Sequence, residues 1–177
     1  MGEMTEKFLK KYYQYVSREA NRELLGFFRE SVKLRYECMD GGWKDRVLIT
    51  NIEKLEKKYI KKIRKMLMDG KIVTRDDFFR AAHFFQHSLK IEDYSMAATL
   101  YSISGFLGDD WGKNHQALAV DRFLLSIQQK QIFGTQYERH GDVWQLSPYR
   151  KDITNKLRKQ HDVPNLRESI KSAKNIS

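Results

Sequence analysis

Residues 78–137 place apolar side chains at three- and four-residue steps almost without interruption. That spacing is the period of an α-helix, and a β-strand has no use for it. Set into the run are seven polar residues that a plain apolar core does not need: Gln86, His87, Asp121, Arg122, Gln131, Thr135 and Gln136. The chain upstream reads as helices packing against this stretch. The chain downstream reads as a hairpin and a basic helical tail closing it off. Two prolines and ten glycines in 177 residues argue against a loop-rich all-β fold and against disorder. Ten Phe, nine Tyr and three Trp supply bulk for a core.

The expected helices follow from the pattern. Residues 5–36 carry Phe8, Leu9, Tyr12, Tyr13, Val16, Ala20, Leu24 and Phe27 on one face, with Gly26 weakening the middle. The cluster Tyr12–Tyr13–Tyr15 reads as a packed aromatic face, and Asp40–Gly41–Gly42 ends the arm. Thr50 and Glu53 have the spacing of a capping box, as do Thr74 and Asp77. The first box opens a helix with the stripe Ile52, Leu55, Tyr59, Ile63, Met66 and Leu67, which Gly70 ends. Its other face holds Lys54, Lys57, Lys58, Lys61, Lys62 and Lys65. The second opens a helix to about Ser88, with Phe78, Ala81, Ala82, Phe85 and Leu89 turned inward. Asp93 is the expected cap of a helix from Tyr94 to Leu107, whose Ala97, Ala98, Ser102 and Ser104 permit close approach. Asp109 or Asp110 opens another, with Ala117, Val120, Leu124 and Ile127 inward. From 131 to 146 the pattern becomes that of a β-hairpin turning at His140–Gly141–Asp142. Residues 150–160 and 164–173 read as basic helices anchored by Ile153, Leu157, Leu166 and Ile170.

The fold class is therefore mainly α, a solenoid-like or tetratricopeptide-like stack with one small β-hairpin. No repeat recurs at a fixed period. Residues 1–45 form an N-terminal helical arm and 46–177 a helical domain with the hairpin and basic C-terminal helices, unless the two run together as one domain.

Residues 70–170 resemble a family of bacterial helical proteins of the DUF6624 kind. The resemblance is carried by Asp77–Phe78, Ala81–Ala82, Phe85–Gln86–His87, Asp121–Arg122 and, above all, Lys130 through Tyr137, KQIFGTQY. A downstream Leu157–Arg158 pair fits the same pattern, whereas Ser88 stands where the family commonly has glycine. The resemblance implies a helical fold and a site at these blocks, and it implies no reaction.

His87, Asp121 and Gln136 are the candidate catalytic residues. An aspartate beside a histidine orients and charge-stabilises the imidazole for acid–base work. Gln86, Arg122, Gln131, Gly134 and Thr135 are the candidate ligand-binding residues: Arg122 to clamp a carboxylate or phosphate, Gly134 to let a ligand approach the backbone. The same residues read equally as a structural polar network between packed helices. No nucleophile stands among them, so a hydrolase would have to activate water. His83 and His87 have the i, i+4 spacing of a zinc pair, with His115 or Asp121 as a third ligand, but the HFFQH segment lacks the metalloprotease glutamate, and neither a metal nor a cofactor is expected.

A net charge of +10 suits an acidic partner. Nucleic acid is one, although the lysine face has no interleaved aromatics or arginines to read bases. A single cysteine, Cys38, and the lack of an apolar run near the ~20 residues of a membrane helix point to a cytoplasmic protein. The expected role is a helical interaction or binding module with a protein partner. A small-molecule-binding or water-activating enzyme and a nucleic-acid-binding protein are the alternatives.

Overall fold

The computed structural model describes residues 20–41, 43–88, 90–141 and 143–173. The aromatic cluster Tyr12–Tyr13–Tyr15, the first part of the expected 5–36 helix, Gly42, Leu89 and Asp142 lie outside them. Seven helices and one two-stranded antiparallel sheet make up the described chain. They are α1 (Arg22–Asp40), α2 (Arg46–Met68), α3 (Arg75–Gln86), α4 (Ile91–Phe106), α5 (Gly112–Ser126), β1 (Tyr137–His140), β2 (Val143–Leu146), α6 (Asn155–Gln160) and α7 (Leu166–Ala173). The mainly helical fold with a small hairpin is thus as the sequence implies. No helix among the described residues is long and apolar enough to cross a membrane.

Local chemistry sets most helix ends. The Thr74–Asp77 capping box forms reciprocally at the start of α3. The Asp77 carboxylate also accepts from the Asn21 backbone N–H at 2.8 Å, so the box ties down the start of α1 as well. The expected box at Thr50 does not form. Asp45, five residues earlier, accepts from both Val47 and Leu48 N–H and starts α2 there. Thr50 lies one turn inside, its hydroxyl donating to the Arg46 carbonyl at 2.8 Å. Asp93 is likewise not a cap. It lies in the first turn of α4, buried, and accepts from the Ser88 hydroxyl at 2.6 Å and from Arg64. Asp109 accepts from the Trp111 N–H at 2.9 Å and from the Ser104 hydroxyl at 2.7 Å just ahead of α5.

The helices α3, α4 and α5 pack in chain order, each on the next, while α1 and α2 pair and cover α3. This makes α3 the centre: nine of its twelve residues are buried. Phe84 and Phe85 are fully buried, each contributing about 1.5–3 kcal/mol of apolar transfer. Leu24, Phe27, Phe28 and Val32 of α1 join the same core, with Phe27 stacked on Tyr59 at 4.0 Å. The described part of the arm therefore packs into the main core. The six lysines of α2 face solvent as expected, but Glu56 sits buried within the apolar stripe. It accepts from Ser31 at 2.6 Å and is held by both ends of the Arg35 guanidinium at 2.7 and 2.5 Å.

Ala97 and Ser104, two of the small residues of α4, are fully buried, and a close crossing lies at the end of the helix. Gly105 meets Gly112 of α5 there, and a Cβ on Gly112 would fall 2.5 Å from the Gly105 backbone nitrogen. In α5 the buried positions are Gly112, Ala117, Ala119 and Asp121, while Ile127 is exposed and Leu124 only partly buried.

The hairpin is shorter than 131–146. Its strands pair Tyr137 with Leu146 through His140 with Val143. Residues 131–136 form a loop, because side chains claim the amide hydrogens that a strand ladder would use. A second, small core of Ala117, Phe133 and Val163 lies beneath this loop. At the C-terminal end Leu157 and Ile170 are exposed, and the buried groups are Arg158, Val163, Ser169 and Ala173. The expected leucine anchor is an arginine.

Candidate functional site

Two arrangements contain the singled-out residues. The first is a latch around the 131–136 loop. Asp121, buried on α5, accepts from Ile132 N at 2.7 Å and Phe133 N at 2.9 Å through Oδ1. Its Oδ2 accepts from Thr135 N at 3.1 Å and from the Thr135 hydroxyl at 2.9 Å. Gln131 completes the loop from within. Its Oε1 accepts from the Thr135 and Gln136 amides, both at 2.9 Å. Its Nε2 donates to the Gln136 and Ser147 carbonyls at 3.0 and 2.8 Å. Gln131 also bridges in parallel to Tyr149, so its side chain and backbone together join loop, hairpin and C-terminal segment.

Gly134 has a φ of +72°, a conformation in which a Cβ is strained. The group approaching it is the fully buried Arg158, whose Nη1 donates to the Phe133 carbonyl. A Cβ on Gly134 would fall 2.8 Å from that nitrogen. The Arg158 charge faces Asp121. Burial pushes the Asp121 pKa up, against the four hydrogen bonds that favour the carboxylate.

The second arrangement is a cleft of about 780 Å³ between α2 and the ends of α3, α4 and α5. Gln86, His87 and Arg122 line one wall, with Ser88 and Tyr94 beside them. Ile49, Ile52 and Ile60 of α2 form the apolar part of the other, and Lys54, Lys57 and Lys61 stand among them. Arg35 and Arg64 also line the cleft, but each has a buried carboxylate, Glu56 and Asp93 respectively. Arg122 differs. Its Nη1 donates to the Gln86 carbonyl at 2.7 Å and its Nη2 to Gln136 Oε1 at 3.4 Å, both neutral acceptors. Burial lowers its pKa, Tyr94 and Tyr101 partly oppose the shift, and Arg35 adds to it. Among the described residues no carboxylate lies within ion-pair distance of it.

The candidate set is thus divided. Asp121, Gln131, Gly134 and Thr135 belong to the latch, and Gln86, His87 and Arg122 to the cleft wall. Gln136 links the two through Arg122 and through Thr135 Oγ1 at 3.1 Å. Among the described residues no hydrogen bond joins Asp121 to His87, and all four donors on Asp121 come from the loop. The His87 ring instead faces His83, with centroids 4.7 Å apart. His83 packs against Phe28 at 5.1 Å and its Nε2 finds no hydrogen-bond partner. No cluster of three or more His, Cys, Asp or Glu among the described residues could hold a metal ion.

Three groups matter that the residue pattern did not single out. Glu56 carried a signal: it falls in register with Ile52, Tyr59 and Ile63 on the buried face of α2. Arg158 carried one only as half of the Leu157–Arg158 pair. The cleft lysines were visible as a face, but nothing local showed that Lys54, Lys57 and Lys61 line the same cleft as His87 and Arg122. No family model, curated protein or solved structure matches the chain.

The histidines predict a pH response. Burial, first of all, depresses the pKa of His83, His87 and His115, and neighbouring cations or imidazoles add to this for the first two. The folded state then keeps them neutral where the unfolded chain takes up protons, so stability must fall as pH drops below the ordinary imidazole value near 6.5. Each such group adds a slope of about 1.4 kcal/mol per pH unit until its own folded-state pKa is reached. Asp121, raised by burial, acts with the opposite sign above its ordinary value of 3.8. The slope is therefore best read between about pH 7.5 and 5.5, above the ordinary carboxylate range. Urea midpoints should decline over that window, and less steeply in a His83→Gln/His87→Gln variant. Equal slopes would show that these rings already titrate freely.

Proposed function

We propose that the protein is a helical binding module whose cleft beside α2 takes an acidic ligand. The observation that carries this is Arg122, a largely buried guanidinium opening on the cleft whose acceptors among the described residues are both neutral. A buried charge without a counter-charge is costly, and an anion entering the cleft removes that cost. The lysines at the mouth extend the same field outward and would steer an anion in. Binding is favoured over catalysis because Asp121, the expected partner of His87, spends its acceptors on the loop.

The resemblance to the DUF6624 kind is carried forward on the same terms. Three of the blocks that bear it, Phe85–Gln86–His87, Asp121–Arg122 and Lys130 through Tyr137, meet at Arg122 and Asp121, which supports a shared scaffold and leaves the reaction open. The test is calorimetric titration with inorganic tripolyphosphate at low and moderate salt. Binding should weaken steeply with salt and be largely lost in a Lys54→Ala/Lys57→Ala/Lys61→Ala variant. No binding at low salt, or binding unchanged in that variant, would overturn the reading. Tighter binding of a short single-stranded oligonucleotide than of tripolyphosphate would move the assignment to nucleic acid.

A further inference from the structure

The inner wall of the cleft has a chemistry different from its mouth. Outside stand flexible lysines that any anion satisfies. Inside, Arg122 is fixed by its bond to the Gln86 carbonyl, which belongs to the peptide leading into His87. The guanidinium is thus held beside the imidazole, and His87 feels its charge. Gln86 is 4% exposed, lines the same wall, and its Oε1 has no hydrogen-bond partner among the described residues. The wall therefore offers both kinds of hydrogen bond. Guanidinium N–H groups not spent on Gln86 and Gln136 are donors, while a neutral imidazole nitrogen and the Gln86 side-chain Oε1 are acceptors.

A carboxylate satisfies only the donors and leaves the acceptors unmet. A phosphate monoester, whose second pKa lies near 6, can present oxygens to Arg122 and keep one O–H for an acceptor. Seven cationic side chains line the cleft against three carboxylates, which draws in an anion of either kind and leaves the choice between them to the acceptors. Size and lining decide the rest of the ligand. A volume of about 780 Å³ fits a small molecule. Ile49, Ile52, Ile60 and Tyr94 give its body an apolar bed.

Resting on the proposed binding function, we propose that Arg122, His87 and Gln86 form a subsite for the terminal phosphate of a small phosphate monoester with an apolar or aromatic body. The phosphate lies on the Arg122 guanidinium, with its O–H directed to His87 or Gln86, and the body lies along the isoleucines of α2.

Phenyl phosphate and benzoate serve as probes with the same ring and different anions. Both are titrated into the full chain and followed by calorimetry and by the His87 imidazole resonances. Phenyl phosphate is expected to bind at least about tenfold more tightly than benzoate, and to lose at least about tenfold in Arg122→Gln, the scale of one charge-assisted contact. Lys58→Ala, an exposed lysine of the same helix outside the cleft lining, should leave it within about threefold, the scale of an exposed charge. If Arg122→Gln does not fold, His87→Asn and the wild-type His87 resonances carry the test: the resonances must move on phenyl phosphate addition, and the variant must weaken binding. Equal affinity for both probes, an unaffected Arg122→Gln, or unmoved His87 resonances would overturn the subsite. Tripolyphosphate binding that persists alongside such a result leaves the cleft's acidic-ligand role standing. If neither tripolyphosphate nor phenyl phosphate binds, both proposals fail.

Discussion

Asp121→Asn is expected to destabilise the protein by about 3–5 kcal/mol, the range for breaking a buried, fully engaged charge. The carboxylate accepts two hydrogen bonds on each oxygen, from Ile132, Phe133 and twice from Thr135. An amide keeps one oxygen and turns an NH₂ group toward the other two donors. If the NH₂ faces Thr135, its N–H keeps only Gln131 Oε1 and its hydroxyl must turn to accept, so the loop loses charge-assisted hydrogen bonds worth about 1.5–3 kcal/mol each. Arg158 loses its opposing charge at the same time. Urea denaturation measures the loss directly. The pattern across variants matters as much as its size. Asp121→Asn should lower stability without changing the affinity for tripolyphosphate in whatever fraction remains folded. Wild-type stability in this variant would mean that the carboxylate is not the loop's support, and would return it to the list of catalytic candidates.

Gly112→Ala is expected to cost about 1–3 kcal/mol, as overpacking of a tight contact does. The added Cβ would lie 2.5 Å from Gly105 N, 2.7 Å from Gly105 Cα and 2.8 Å from the Tyr101 carbonyl oxygen. All three are backbone atoms, so no rotamer change relieves them. The helices α4 and α5 must move apart, and the contact between them is one of the two most extensive in the fold. Gly26→Ala is the control. It lies inside α1 with nothing within 4 Å of the new methyl group. There the gain in helix propensity, roughly 0.5–1 kcal/mol, should raise stability. If both substitutions stabilise, α4 and α5 do not cross as closely as the geometry states. Thermal unfolding of the two variants side by side decides it.

The Thr74–Asp77 box was legible because every atom it needs lies within four residues. Thr50 has the same spacing and does not cap, because Asp45 captures two amide hydrogens first and begins the helix a turn earlier. Spacing finds candidates, and competition between nearby acceptors chooses among them. The 131–136 loop shows the limit of a two-residue period. Ile132, Phe133 and Thr135 read as strand, but their amides bond to the Asp121 side chain on another element. Likewise, Ile52, Tyr59 and Ile63 mark the buried face of α2, yet Glu56 in that register reads as a solvent charge until Arg35 and Ser31 stand opposite it.

What the sequence determined by itself is the helical class, most helix boundaries to within a few residues, the hairpin and the lysine face. These depend on period, capping and turn residues, which act over one or two turns. Only the tertiary structure decided the fate of the charges. It gave Glu56 to Arg35 and Asp93 to Arg64, set Asp121 against Arg158, and left Arg122 on the cleft wall with no carboxylate of the described residues in ion-pair reach. The worth of a buried charge depends on what faces it across a low-dielectric gap, and here the facing groups lie some twenty to forty residues away in the chain. No local pattern records that distance, and it is where the candidate site arises.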